Sequence, residues 1–133
     1  MTYELKVLVW VLILTLVQIL LTATLRTRET GLAYNASPRD IPAPAPVGVV
    51  TGRMMRAQRN LLETLPVFIA AIITIQFAQI QSSEIHYGTL IYFWARILYV
   101  PLYAFGVSYV RSIVWAASLV GIVMLLHSLL TAA

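Results

Sequence analysis

Four apolar stretches separated by polar links use up nearly all of the chain's 133 residues. The first of them sets the rule for the rest. From Val7 to Leu21 the single strongly polar side chain is Gln18. In hydrocarbon a run of this kind must satisfy every backbone N–H and C=O within itself, and a helix does so. About 20 residues are enough to cross a bilayer. Composition agrees: 60% of residues are hydrophobic and 11% are charged, where a soluble domain carries about 25% charge. The mean hydropathy is +0.85. The expected fold is therefore an all-α integral membrane protein, a bundle of four transmembrane helices forming a single domain over 1–133.

The spans are placed at 3–25, 53–79, 88–106 and 111–131. A cleaved signal peptide is the rival for the first. Its opening residues, however, set Glu4 against Lys6, and the basic pair Arg26 and Arg28 follows the apolar run rather than preceding it, so a retained helix is expected. Gln18 reads as an interhelical hydrogen bond. Residues 26–52 form a polar loop that ends in the alternating prolines of Pro42 to Pro46, which favour an extended connection. That loop carries Arg26, Arg28 and Arg39, with Arg53 after it, and is cytoplasmic by the positive-inside rule. The link from Gln81 to His86 has no Lys or Arg and belongs outside, with His86 a solvated loop residue. Both termini then lie outside as well. The net charge of +4 is topology information and no nucleic-acid signal. The chain has no cysteine, so any thiol chemistry must use a thiol brought by the substrate.

The second span begins unlike a lipid-facing helix. Arg53, Arg56, Asn60 and Glu63 follow a 3-4-3 rhythm and share one face. Arg59 lies beside that face, four residues before Glu63 and in reach of an ion pair. Ionisable residues at membrane depth cost about 2.5–3.5 kcal/mol each, so they face a bundle interior or a wet cavity. In the third span Tyr92, Arg96, Tyr99 and Tyr103 recur at 4-3-4 spacing and form a polar seam facing the second helix. Pro66 and Pro101 are expected to kink their helices near these residues. The fourth span opens on Arg111 and Ser112, at the same end as Arg26 and Arg56. His127, near its other end, reads as a boundary or packing residue.

Such a cavity, with several arginines, one carboxylate, an amide and tyrosine hydroxyls, suits a small, polyanionic, peptide-like molecule. Guanidinium forks take carboxylates, Glu63 takes an ammonium and Asn60 an amide. No spacing for a metal site, a phosphate loop or a Ser-His-Asp arrangement occurs. A transferase acting through a ready-made thiol needs only a cation or donor that lowers the thiol pKa, and Arg111, at the cavity mouth, is the candidate.

Arg56-Ala-Gln-Arg59-Asn60-Leu-Leu-Glu63-Thr-Leu-Pro66-Val-Phe resembles the second-helix signature of the MAPEG family, membrane-associated proteins of eicosanoid and glutathione metabolism. Phe93-Trp-Ala-Arg96-Ile-Leu-Tyr99-Val-Pro-Leu-Tyr103 is similar to its third-helix pattern, and Arg111-Ser112 to the start of its fourth helix. The resemblance implies a four-helix bundle assembled as a homotrimer, with glutathione as co-substrate between adjacent subunits near the cytoplasmic face. It implies that Arg56, Asn60 and Glu63 bind the glutathione backbone and charged ends, and that Tyr99, Tyr103 and Ser112 line the site. Arg26 would take a carboxylate, and Arg111 would stabilise the thiolate. Arg59 and Arg96 match positions that touch the ligand in some members and serve packing in others. Trp115 stands where some relatives carry a tyrosine, so no hydroxyl role is expected there. The short, cysteine-free chain looks like a bacterial member, in the cytoplasmic (inner) membrane with its site facing the cytoplasm.

The function implied is a membrane-bound glutathione transferase or peroxidase acting on lipophilic electrophiles or lipid hydroperoxides. Its rival is a non-catalytic subunit of the same fold, docked in a larger membrane complex and keeping its polar residues as interhelical glue. Glue needs paired partners, whereas Arg56, Arg59, Arg96 and Arg111 face one acid, Glu63. A small transporter or channel would need an internal repeat or a ring of charge along a pore, and neither is present.

Overall fold

A computed structural model describes residues 1–132, and all regular structure in it is helical. Helix α1 (Tyr3–Thr30) is followed by the single turn α2 (Leu32–Ala36). Three long helices come next: α3 (Val49–Ala78), α4 (Ser83–Ala104) and α5 (Ser108–Thr131). α1, α3 and α5 are long and apolar enough to cross a membrane. At 1.5 Å per residue each exceeds the roughly 30 Å of hydrocarbon. α4 has 22 residues, also sufficient in length, but Glu84, His86, Arg96 and four tyrosines keep it out of that group by hydropathy.

Chain chemistry fixes the helix ends. Thr2 caps α1, its Oγ1 accepting from the Leu5 N–H at 3.4 Å, and Ser82 caps α4 through Ile85 N–H at 3.2 Å. Gly31, at φ 83°, ends α1, its N–H donating to Thr27 O. The turn between α4 and α5 is as tight: Gly106 sits at φ 75°, and Gly106 and Val107 donate to the carbonyls of Tyr103 and Leu102.

The first helix therefore runs to Thr30 rather than Leu25, which places Arg26 and Arg28 in helix instead of loop. Thr24, Thr27 and Thr30 turn their hydroxyls back onto the carbonyls four residues before them, so a polar sequence continues the helix instead of stopping it. The second helix begins at Val49, ahead of the expected Arg53, and the loop shrinks to 31–48 around α2. The third spans 83–104 rather than 88–106. The link at 81–86 is thus partly helical, and His86 is half-buried with its ring 4.5 Å from that of Tyr3, not a solvated loop residue. The fourth starts at Ser108 rather than Arg111. α3 and α4 stay helical through Pro66 and Pro101.

The bundle is divided along its length. In one half Val7, Leu8 and Val11 of α1 meet Leu65, Phe68, Ile72 and Ile75 of α3, Ile85 and Tyr92 of α4, and Ile122 and Leu125 of α5. The rings of Phe68 and Tyr92 stack there at 4.0 Å. In the other half polar side chains join the buried set: Gln18 and Thr22 on α1, Thr51 on α3, Arg96 on α4 and Ser118 on α5, among the apolar Met54, Ala57 and Leu61 of α3. Gln18 is buried, but among the described residues its Oε1 has no partner, so the expected interhelical hydrogen bond is not seen within the protomer. α4 and α5 form the closest pair. Gly88 and Gly121 face each other, and a Cβ on either would lie 2.7–2.8 Å from the other's carbonyl oxygen. Small residues allowing backbones to touch is the usual device for helix pairs in lipid. Outward, Phe77, Leu130 and Tyr109 are each more than 85% exposed, as side chains meeting lipid rather than water would be.

Candidate functional site

The polar half is held together by a ladder of side chains between α3 and α4. Arg53 Nη1 donates to Ala104 O at 3.2 Å, and Arg56 Nε to Tyr103 Oη at 3.2 Å. Deeper in, Arg96 donates from Nη1 to Asn60 Oδ1 at 2.7 Å and from Nη2 to Thr64 Oγ1 at 2.6 Å. Thr64 Oγ1 lies 3.1 Å from Tyr92 Oη and closes the ladder. Arg53, Arg56 and Asn60 of the first predicted stripe therefore reach across to α4, while Glu63 makes no bond to it. Thr64 was not among the expected residues. It lies four positions after Asn60, and that spacing on an already polar face was the signal available.

Arg96 is 1% exposed. Its guanidinium is flanked by the rings of Tyr92 and Tyr99, at 5.3 and 5.7 Å from their centroids, a cation–π setting, and its Nε has no partner. Two further guanidiniums share Tyr103. Arg56 bonds its hydroxyl, and Arg111 stands over its ring face, 4.4 Å from the centroid. Tyr99 packs edge-on against the same ring at 5.4 Å. Gly106 makes room for Arg53 at the turn leading to Arg111, since a Cβ there would come within 2.7 Å of the Arg53 guanidinium.

Arg59 and Glu63 are exposed on α3 and do not pair. Among the described residues the ion pairs are Arg26–Glu29 and His127–Glu84. The basic residue precedes the acid at this spacing, the weaker orientation for a helical pair. Arg53, Arg56, Arg59, Arg96 and Arg111 thus crowd one end of three helices, none within ion-pair distance of a carboxylate. Ser112 is exposed, its Oγ donating to Ser108 O at 3.3 Å.

Arg26 is occupied differently. Its Nη1 donates to Glu29 Oε2 at 2.9 Å and to Pro46 O at 3.1 Å, and its Nη2 to Ala45 O at 2.9 Å. Glu29 Oε1 in turn accepts from Gly48 N–H at 3.1 Å and from Thr51 Oγ1 at 2.6 Å. One carboxylate thereby fastens the end of α1, the proline segment and the start of α3. These contacts involve none of the ladder residues.

At the far end His127 Nδ1 lies 2.9 Å from Glu84 Oε1, and Ser128 Oγ donates to Glu84 Oε2 at 2.8 Å. His127, expected as a boundary or packing residue, lies exposed near the end of α5 and joins it to α4 through Glu84. No group of three or more His, Asp or Glu side chains with metal-site geometry occurs among the described residues.

With α1 and α3 to α5 in order, an arginine-rich α3 face and a tyrosine-arginine α4 face, the chain carries the pattern of a known family along its whole length. The sequence model of the MAPEG family matches residues 5–131. No curated protein and no solved structure matches the chain. On the family match, which covers all four long helices, this integral membrane protein belongs to the MAPEG family.

Proposed function

We propose that this protein is a glutathione-dependent transferase or peroxidase of the bacterial cytoplasmic membrane, with all four long helices crossing the bilayer and the arginine end facing the cytoplasm. The observation that carries this reading is the excess of guanidinium without carboxylate around Tyr103. Arg56, Arg59 and Glu63 are exposed on a single protomer, yet lie on a helix long and apolar enough to cross a membrane. Leaving them against lipid would cost about 2.5–3.5 kcal/mol each. Cover by neighbouring copies removes that cost, and we assign a homotrimer with glutathione between subunits.

Glutathione offers two carboxylates, an ammonium, two amides and a thiol. Arg56 and Arg59 take carboxylate, Glu63 takes the ammonium, and Arg26, held by Glu29, Ala45 and Pro46, offers a carboxylate only the N–H groups those bonds leave. Asn60 Oδ1 is already engaged by Arg96, so its free amide N–H is the group left for a peptide carbonyl. Arg96 then acts as the post that fixes Asn60, while Tyr99, Tyr103 and Ser112 line the pocket. Arg111, fixed over the Tyr103 ring, stabilises the thiolate, and the thiol proton leaves to solvent. In conjugation the sulfur attacks an electrophilic carbon of an apolar substrate as its leaving group departs. In peroxidase turnover the thiolate attacks the O–O bond, releasing an alcohol and glutathione sulfenic acid. A second glutathione converts that acid to disulfide and water.

The test is calorimetry of glutathione binding to the purified protein in detergent, with thiolate absorbance followed in the ultraviolet. Binding with a thiolate signal at neutral pH is expected. Binding without that signal refutes catalysis and favours the non-catalytic subunit; no binding at millimolar glutathione refutes the reading altogether.

A further inference from the structure

Among the described residues three buried side-chain polar atoms have no hydrogen-bond partner: Gln18 Oε1, Thr22 Oγ1 and Arg96 Nε. Each belongs to a residue more than nine-tenths buried within one protomer, so a neighbouring copy does not supply the missing group. Leaving such an atom unpaired costs about as much as a lost hydrogen bond. Thr22 stands apart from its own helix in this. The other threonines of α1 (Thr15, Thr24, Thr27 and Thr30) each turn the hydroxyl onto the carbonyl four residues back. Thr22 does not, and it shares a helix face with Gln18, one turn earlier.

The register of the bundle brings the three atoms to one level. The Tyr3 ring against His86 sets α1 beside α4 at the end away from the arginines, and the Phe68–Tyr92 stack sets α3 against α4. At about 1.5 Å per residue from the Tyr3–His86 contact, Gln18 lies about 22 Å along the bundle and Asn60 about 21 Å. Arg96 starts at about 15 Å, and its guanidinium reaches on to Asn60 Oδ1. α1, α3 and α4 touch one another, and Val11, Leu65, Phe68 and Tyr92 fill the space between them on the side away from the arginines. The next buried positions of α3, Leu61 and Ala57, are apolar and offer the Gln18 side chain nothing to bond.

We propose that an ordered water is bound at this level, between α1 and the Arg96–Asn60 pair. It accepts from Arg96 Nε–H and from the Thr22 hydroxyl, and it donates to Gln18 Oε1. Three bonds is the usual number for a buried water. The donor set selects the guest: a bare anion would be repelled by the Gln18 carbonyl oxygen and a cation by the Arg96 guanidinium, whereas water both gives and takes. The interhelical bond expected of Gln18 is then made through water. The site needs neither glutathione nor a neighbouring copy, so it is tested apart from the proposed activity.

The first test is a structure of the full chain, free of glutathione, at a resolution that shows ordered water. Density for one water at about 2.7–3.2 Å from both Gln18 Oε1 and Arg96 Nε is expected, and a dry site overturns the proposal. Thermal unfolding in detergent is the second test, because the sign of one substitution decides it. A carbonyl buried with nothing to bond is a cost, and Gln18→Leu would then raise the unfolding temperature. A carbonyl that holds water loses a bond and strands Arg96 Nε, so Gln18→Leu should lower that temperature by about 3–6 °C. Thr22→Val should lower it by about 2–4 °C. The double variant should fall little further than Gln18→Leu, since both side chains serve the same water. A Gln18→Leu protein as stable as the wild type or more so, or single shifts that simply add, overturns the shared site.

Discussion

Replacing Gly121 with alanine sets two effects against each other, and the structure decides between them. Alanine is the better helix former by about 1 kcal/mol, so propensity alone predicts a more stable protein. Gly121, however, faces α4. A Cβ there would lie 2.7 Å from Gly88 O, 2.9 Å from Tyr92 N and 3.3 Å from Tyr92 Cβ, whereas ordinary contact begins at 3.4 Å. Two of these neighbours are backbone atoms, which cannot rotate away as the tip of a side chain could. Relief requires α4 and α5 to separate, and the buried Ser118, Ile122 and Leu125 beside the contact then lose packing. A gap of 0.5–1 Å forfeits about a quarter to a half of each dispersion contact, and overpacking of this kind costs about 1–3 kcal/mol. The steric term wins. Net of the propensity gain, about 1–2 kcal/mol remains, so in detergent Gly121→Ala should unfold roughly 3–7 °C below the wild type at the same scan rate. Val120→Ala, one residue away and half-exposed, is the control and should stay within about 2 °C. A Gly121→Ala protein as stable as the wild type, or more so, would refute the argument that these backbones touch.

Three other substitutions probe the polar half. Thr64→Val keeps the shape but leaves an Arg96 donor and the Tyr92 hydroxyl short of a partner; it should destabilise by about 1.5–3 kcal/mol, measured by chemical or thermal unfolding. Arg111→Ala should abolish thiolate formation by bound glutathione while leaving affinity largely intact, since no hydrogen bond of the ladder passes through it; loss of binding with unchanged thiol ionisation would remove Arg111 from its assigned role. Glu63→Gln should weaken glutathione binding by about tenfold in calorimetry, and unaltered affinity would take Glu63 out of the site.

The two polar stripes were legible because helical periodicity is a property of spacing alone. The 3-4-3 series from Arg53 to Glu63 and the 4-3-4 series from Tyr92 to Tyr103 needed no knowledge of tertiary structure to be set on single faces. What spacing does not contain is which groups bond across the gap. Arg96 reaches Asn60 and Thr64, whereas Arg59 and Glu63, neighbours on one helix, do not meet. Helix ends were misread where polar side chains prolong a helix, as the threonines near Arg26 do. The Glu84–His127 contact joins residues 43 positions apart, and the Gly88–Gly121 crossing is similarly long-range. Such pairings depend on how α4 lies against α5, and a single sequence gives no register for that.

The fastening at Glu29 has a consequence for how the chain can be altered. Because that carboxylate takes the Gly48 amide and the Thr51 hydroxyl while Arg26 holds Ala45 and Pro46, the ends of the loop are joined independently of what lies between them. Lengthening a loop costs slowly, about 0.6 kcal/mol for each doubling. The exposed segment from Pro38 to Ala43 is therefore the part of the molecule most open to insertion: an epitope, a fluorescent domain or a soluble fusion partner placed there leaves α1 and α3 in register. A cut in that segment would likewise leave in place the bonds from Arg26 and Glu29 to Ala45, Pro46, Gly48 and Thr51.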